Sequence, residues 1–190
     1  MNRPLAVCTA HIHWDPELCD VKLVQTMMLV QELDKVLKKL ETTYNIPYDH
    51  LPTLICGDLN SLPESGVCEF LSTGMINSHH PELKDFRGQS CLKGLSSGGP
   101  VDVCTHPLQL QSAYEPVDIP FTNYTGDFKG VIDYVYFSPA SLLRLGVLGP
   151  LQPEWFLENK IVGCPHPSIP SDRKSTLITF TLADFLEIYG

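Results

Sequence analysis

The 190-residue chain, 43% hydrophobic and 18% charged, has the bulk and apolar share of one folded domain rather than of a disordered segment. Its formal net charge of -9 excludes a protein that grips nucleic acid by a broad basic surface, although carboxylates that hold a divalent cation can reverse the sign locally. No apolar run approaches bilayer length and no signal-peptide pattern opens the chain, so a soluble intracellular protein without membrane contact is expected.

Leu5 to Trp14 is rich in β-formers and predicts a strand that stops at Asp15-Pro16. A helix follows, with Asp20 as its N-cap and an apolar series of Val21, Leu23, Val24, Met27, Met28, Val30, Leu33, Val36, Leu37 and Leu40 at helical spacing. Pro52 to Cys56 predicts a short buried strand, which completes a βαβ unit and favours an α/β layered fold. Ser65 to Leu71 predicts a short helix ending near Gly74, and the Gly/Ser-rich stretch 90–100 a surface loop. Val131 to Phe137 is the clearest later strand, with Leu142 to Leu148 expected beside it. A short helix around Glu154 to Glu158, a proline-rich irregular stretch 163–170 and a final strand from Thr176 to Leu182 close the series. The seven cysteines are scattered, odd in number and without a CxxC pair, which fits reduced thiols better than a disulfide framework or a zinc site.

Four segments carry candidate chemistry. In Gly57-Asp58-Leu59-Asn60-Ser61, side chains two apart on extended backbone point the same way. Asp58 is then placed to take a proton from water or bind a metal, and Asn60 to orient that water; alone, the segment reads as readily as an Asx turn. In His11-Ile12-His13-Trp14-Asp15-Pro16 the two histidines share a face; no zinc-spaced partners follow, and His11 is the candidate donor to a phosphate. Asp133, inside an otherwise apolar strand, demands a cationic or hydrogen-bonding partner. Upstream of it, Asn123 offers an amide for an adenine edge and Phe128 a ring for stacking, though each alone also reads as a loop amide or a core aromatic. Finally, Ser171-Asp172-Arg173 follows rigid proline-rich backbone, which sets a cation at the top of the last strand or simply crosses the surface.

Taken in order, HIHWDP, GDLNSLPESG, NYTGDFKGVIDY and CPHPSIPSD resemble the endonuclease/exonuclease/phosphatase superfamily, and within it the catalytic nuclease subunits of the eukaryotic carbon-catabolite-repression/Not deadenylase complex. The likeness runs from His11 to Asp172. It implies part of a four-layer α/β/β/α sandwich and a magnesium-dependent exoribonuclease that shortens poly(A) from its 3′ end and releases adenosine monophosphate. It also implies a cytoplasmic location, with the nucleus as a second one. Carried over by position, it makes His11 a phosphate ligand, Asp58 the activator of water, Asn60 its orienting partner and Asp133 the acid that holds the last catalytic histidine. Asn123 and Phe128 become adenine contacts, Pro16 part of the base-binding wall, and Asp58 with Asp172 the metal-side carboxylates.

The resemblance also predicts that residues 1–182 are the C-terminal part of a nuclease domain. The family's metal-binding glutamate, a companion asparagine and the scaffold-docking leucine-rich repeats then lie in an N-terminal portion not represented here. Arg173 stands where the family has the last histidine, and residues 183–190 form a divergent tail. Arginine cannot switch protonation near neutrality or copy imidazole geometry, and it is expected to pair with Asp133. The alternatives are therefore a non-catalytic chain that binds adenine-rich RNA or a partner, and a relative acting on lipid or inositol phosphates, which the Asn123 and Phe128 loop argues against.

Overall fold

The computed structural model describes residues 4–115, 118–150, 153–174 and 176–183. In chain order its elements are β1 (Ala6–His11), α1 (Cys19–Tyr44), β2 (Thr53–Asp58), α2 (Gly66–Thr73), β3 (Met75–Asn77), β4 (Val103–Thr105), β5 (Gln111–Ser112), β6 (Asn123–Tyr124), β7 (Lys129–Gly130), β8 (Asp133–Phe137), β9 (Leu142–Val147), α3 (Pro153–Glu158) and β10 (Ile178–Leu182). The predicted βαβ unit is present: β1 and β2 run parallel in register, with α1 as the crossover. β8 joins the other side of β2 antiparallel and β5 follows it, giving the order β1-β2-β8-β5.

The helix α1 buries Leu23, Met27, Val30, Leu33 and Leu37, a stripe at intervals of three and four residues that lies on the sheet. Each of these side chains contributes roughly 1.5–3 kcal/mol by leaving water. Met28 and Val36, read from the sequence as part of the apolar series, point instead to solvent, because they fall about a third of a turn off the stripe. Asp20 is not the N-cap: the helix opens at Cys19, Leu18 holds the cap position without a side-chain bond, and Asp20 sits in the first turn. The second helix behaves as its sequence predicts, with Ser65 Oγ accepting from Cys68 N–H at 3.3 Å and Gly74 closing it in the left-handed region at φ 75°.

Alternation splits the sheet's side chains between two cores. Ile55, Tyr134 and Tyr136 join α1 and α2 on one face. Leu54, Val135 and Phe137 face the other way and pack with Leu142, Ile178, Phe180 and Leu182 of a second, two-stranded sheet. Helices, first sheet and second sheet thus form successive layers of an α/β sandwich. β9 does not lie beside β8 as its position in the chain suggested. A turn stitched by Ser138 Oγ and Ser141 Oγ, 2.7 Å apart, carries the chain out of the first sheet, and β9 pairs antiparallel with β10. The apolar alternation of 142–148 identifies a strand but not its partner. The stretch 90–100 is not all loop, since Ser90–Leu95 forms a 3₁₀ helix.

A third cluster joins Phe121, Phe156, Ile161 and Cys164 and ties α3 to the β6–β7 hairpin. The cysteines stand as free thiols. No helix among the described residues is long and apolar enough to cross a membrane. The expected tail, 183–190, lies outside the described residues except for Ala183.

Candidate active site

Strand register brings the first three candidates together. His11 is paired with Asp58 across the parallel β1–β2 ladder, and Asp58 with Asp133 across the antiparallel β2–β8 ladder. Cross-strand neighbours share a face, so three residues distant in sequence stand side by side at one edge of the sheet. β1 and β2 can lie this close because residue 57 is glycine: a Cβ there would overlap the Ala10 carbonyl.

Directly after β2 the chain turns sharply. Asn60 takes a left-handed conformation at φ 45°, and Asp58 Oδ1 accepts its N–H at 2.9 Å. The Asx turn that the sequence left open is therefore real, and it fixes the Asp58 carboxylate rather than conflicting with a site role. Asn60 Nδ2 donates to Ile12 O at 2.8 Å, and Lys22 Nζ donates to Asn60 O at 2.8 Å. The turn is held from β1 and from α1 at once.

Arg173 reaches the same acids. Residues 172–174 run along β6: Tyr124 N–H donates to Asp172 O, Asn123 bridges Arg173, and Lys174 N–H donates to Thr122 O. This extended pairing, rather than a surface crossing, sets the guanidinium over the strand ends. Its Nη2 contacts Asp58 Oδ2, and its Nε lies 3.8 Å from Asp133 Oδ1. The expected Arg173–Asp133 pair is present, but Asp58 is the nearer partner, because neighbouring carboxylates on β2 and β8 are both within reach of one planar fork. His11 Nε2 is 3.5 Å from Asp58 Oδ2, with its ring largely exposed.

Burial holds the Asp133 carboxyl above the usual carboxylate range; the nearby Asp58 and Asp172 add to this, while Thr122 and Arg173 oppose it. Asp133 Oδ2 and Arg173 Nη1 are buried and have no hydrogen-bond partner among the described residues.

In front of this cluster opens a cleft of about 560 Å³ whose walls include Pro16, Asn60, Asn123, Phe128 and Arg173. The sequence candidates for base binding are therefore brought to one place. Asn123, however, is buried, and its Nδ2 donates one of its two amide hydrogens to Asp172 Oδ2 at 3.0 Å, so part of the amide serves the site's own frame. Phe128 is part-exposed at the rim. His13 is not in the cleft wall; its N–H is bound to Gln25 Oε1 at 2.9 Å. Two cleft residues that sequence reasoning missed are Trp14 and Lys22. The available signal for Lys22 was a cation on the buried stripe of an amphipathic helix.

The donor set does not fit a magnesium ion as it stands. Asp58 is engaged by Arg173 and Asp172 by Asn123, and among the described residues no group of three or more His, Cys, Asp or Glu side chains could hold a metal ion.

Comparison with known families supplies the context. The profile of the Endonuclease/Exonuclease/phosphatase family matches residues 10–172. The chain belongs to this family. Among relatives in it, the CCR4-NOT transcription complex subunit 6-like-B of Xenopus laevis is 48% identical over 185 residues, covering 94% of this chain and 34% of that protein. The CCR4-Not complex 3′-5′-exoribonuclease subunit Ccr4 of Saccharomyces cerevisiae is 39% identical over 176 residues, covering 90% of this chain and 20% of that protein. The chain thus spans about a third or less of the length of these relatives. Solved structures agree on the fold: ANGEL2, a 2′,3′-cyclic phosphatase, in complex with adenosine-2′,3′-vanadate superposes with a TM-score of 0.68 at 22% identity, covering 92% of this chain and 56% of that one. The human Nocturnin catalytic domain with bound sulfate gives 0.57 at 18% identity, covering 95% and 48%.

Proposed function

We propose that this family member takes the 3′ end of adenine-rich single-stranded RNA into its cleft, and that the activity of its lineage is 3′ to 5′ exoribonuclease action on poly(A). The observation that carries this reading is the convergence of Pro16, Asn60, Phe128 and Arg173 on one cleft beside the Asp58–Asp133 pair. Phe128 stacks the terminal base and Pro16 closes the slot, a mode open to single-stranded bases because every base has a π face. This slot disfavours a lipid or inositol phosphate as substrate.

Hydrolysis then requires water oxygen to bond to phosphorus while the bond to the 3′ oxygen of the preceding nucleotide breaks. Asp58 is the group placed to accept the water's proton, and the leaving oxygen needs a proton in return. A guanidinium is a poor source of that proton, and Arg173 occupies the Asp58 carboxylate. On this reading the chain recognises RNA but does not turn it over by itself. Magnesium dependence and assembly into a CCR4-NOT type complex, in the cytoplasm and nucleus, belong to the proposal for longer chains that add further carboxylates and docking segments.

The test is binding of fluorescently labelled oligo(A) and oligo(C) of equal length, in chelator, to the chain and to Phe128→Ala. Oligo(A) should bind more tightly, and the substitution should cost about 1–3 kcal/mol of that affinity. Equal affinity for the two RNAs, untouched by the substitution, would show that the cleft does not read adenine.

A further inference from the structure

The α1 side of the cleft carries two groups that the terminal-nucleotide slot leaves unused. Trp14, on the β1–α1 connection, is 70% exposed and joins none of the hydrophobic clusters. Its ring neighbour is His13, centroids 6.1 Å apart and tilted by 35°. A large indole left in water beside a cleft is a surface on which a flat apolar ligand gains by stacking. Lys22 lies one turn into α1. The residue is 6% exposed and lines the cleft, and its ammonium donates to the Asn60 carbonyl at 2.8 Å, a neutral acceptor that takes one of three available protons. Burial depresses the pKa of this amine, and the surrounding Glu82, Asp15 and Asp58, with Cys19, act to keep it charged. Trp14 and Lys22 both line the same cleft as Phe128 but come from a different wall element.

An aromatic face and an ammonium lining one cleft are the two contacts that a nucleotide needs, one for the base and one for the phosphodiester. We propose that Trp14 and Lys22 form a second nucleotide subsite, which holds the penultimate nucleotide of the RNA strand. This rests on the reading that the cleft takes an RNA 3′ end. Because Lys22 binds the turn that carries Asp58 and Asn60, a phosphate on its ammonium lies next to the phosphodiester presented to Asp58. The subsite makes the chain prefer strands of at least two nucleotides and reads the second base by stacking, with little dependence on its identity.

The chain has two tryptophans, Trp14 and Trp155, so a Trp155→Phe background leaves Trp14 as the sole indole reporter. Emission is followed in chelator during titration with adenosine monophosphate, diadenylate and tetra-adenylate. Diadenylate and tetra-adenylate should quench Trp14, and the mononucleotide should not. In calorimetric titrations, which need no indole, Trp14→Ala should weaken diadenylate about tenfold and leave mononucleotide affinity unchanged, with Trp14→Phe restoring binding. Lys22→Met should lower the salt dependence of tetra-adenylate binding by about 0.7 in log–log slope, and Lys22→Arg should keep it. If Lys22→Met does not fold, Lys22→Arg and the two Trp14 variants still decide. Quenching by the mononucleotide to the same extent, or diadenylate binding no tighter than the mononucleotide with silent Trp14 emission, overturns the subsite while leaving terminal recognition intact. No binding of any of the three ligands removes both the subsite and the functional reading it rests on.

Discussion

Removing the Arg173 guanidinium should both destabilise the chain and expose a cluster of acids. At an effective dielectric near 20, an ion pair about 4 Å apart attracts with roughly 4 kcal/mol before desolvation is subtracted. Arg173 is about one-third exposed and Asp58 mostly buried, with side-chain exposures of 32% and 11%, so solvent screening and the cost of ordering the arginine remove most of that value. A net coupling of about 1–2 kcal/mol remains. The measurement is a double-mutant cycle of Arg173→Ala and Asp58→Asn followed by urea unfolding at neutral pH. With a slope of about 2 kcal/mol per molar urea, Arg173→Ala alone should lower the midpoint by roughly 0.5–1 M. A coupling below about 0.3 kcal/mol, or an Arg173→Ala chain more stable than the parent, would refute the claim that this arginine neutralises the site. On the proposed reading the same residue also bears on the chemistry. Loss of one transition-state contact typically costs on the order of 10²–10³ in rate. Arg173→His should therefore yield measurable adenosine monophosphate release only when the chain is also fused to a relative's segment that supplies further metal-binding carboxylates. Robust release by the unmodified chain would show that Arg173 does not stand in the catalytic position.

Asp133→Asn should raise stability at neutral pH. The folded-state pKa of Asp133 is raised, so its ionisation penalises the folded state above that pKa, and the penalty fades as pH falls toward the ordinary carboxylate range. Unfolding curves of the variant and parent should accordingly converge near about pH 3, and an advantage that persists there would contradict the burial argument. Gly57→Ala should lower the melting temperature sharply, since the new methyl meets Ala10 backbone rather than a movable side chain; circular dichroism melts decide it. β1 ends the strand order of its sheet and leaves Leu5 and Val7 exposed, so the chain should self-associate with rising concentration in light scattering. Val7→Lys should reduce that association, and no concentration dependence in the parent would show that this surface is not sticky.

The sequence by itself determined the βαβ unit, the helix ending at Gly74, and the candidate residues for chemistry. These are local or additive properties: apolar spacing along α1, alternation in 131–137, and four motifs in a fixed order. It also showed that Asp133 needs a partner, because a carboxylate among apolar neighbours is costly wherever the strand goes. It did not show that Arg173, the expected partner, would lie nearer to Asp58. Ladder register, a property of strands far apart in the chain, sets Asp133 beside Asp58, and the run of 172–174 along β6 decides that Arg173 meets Asp58 first. The same limit explains β9, whose alternation fixes that it is a strand while the Ser138–Ser141 turn sends it to β10. Lys22 and Trp14 belonged to a helix stripe and a strand end until folding turned both toward one cleft. Candidate residues were legible where single residues or short spacings mark them. Pairing required the tertiary structure, since a charge's partner depends on which distant backbone arrives within a few ångströms of it.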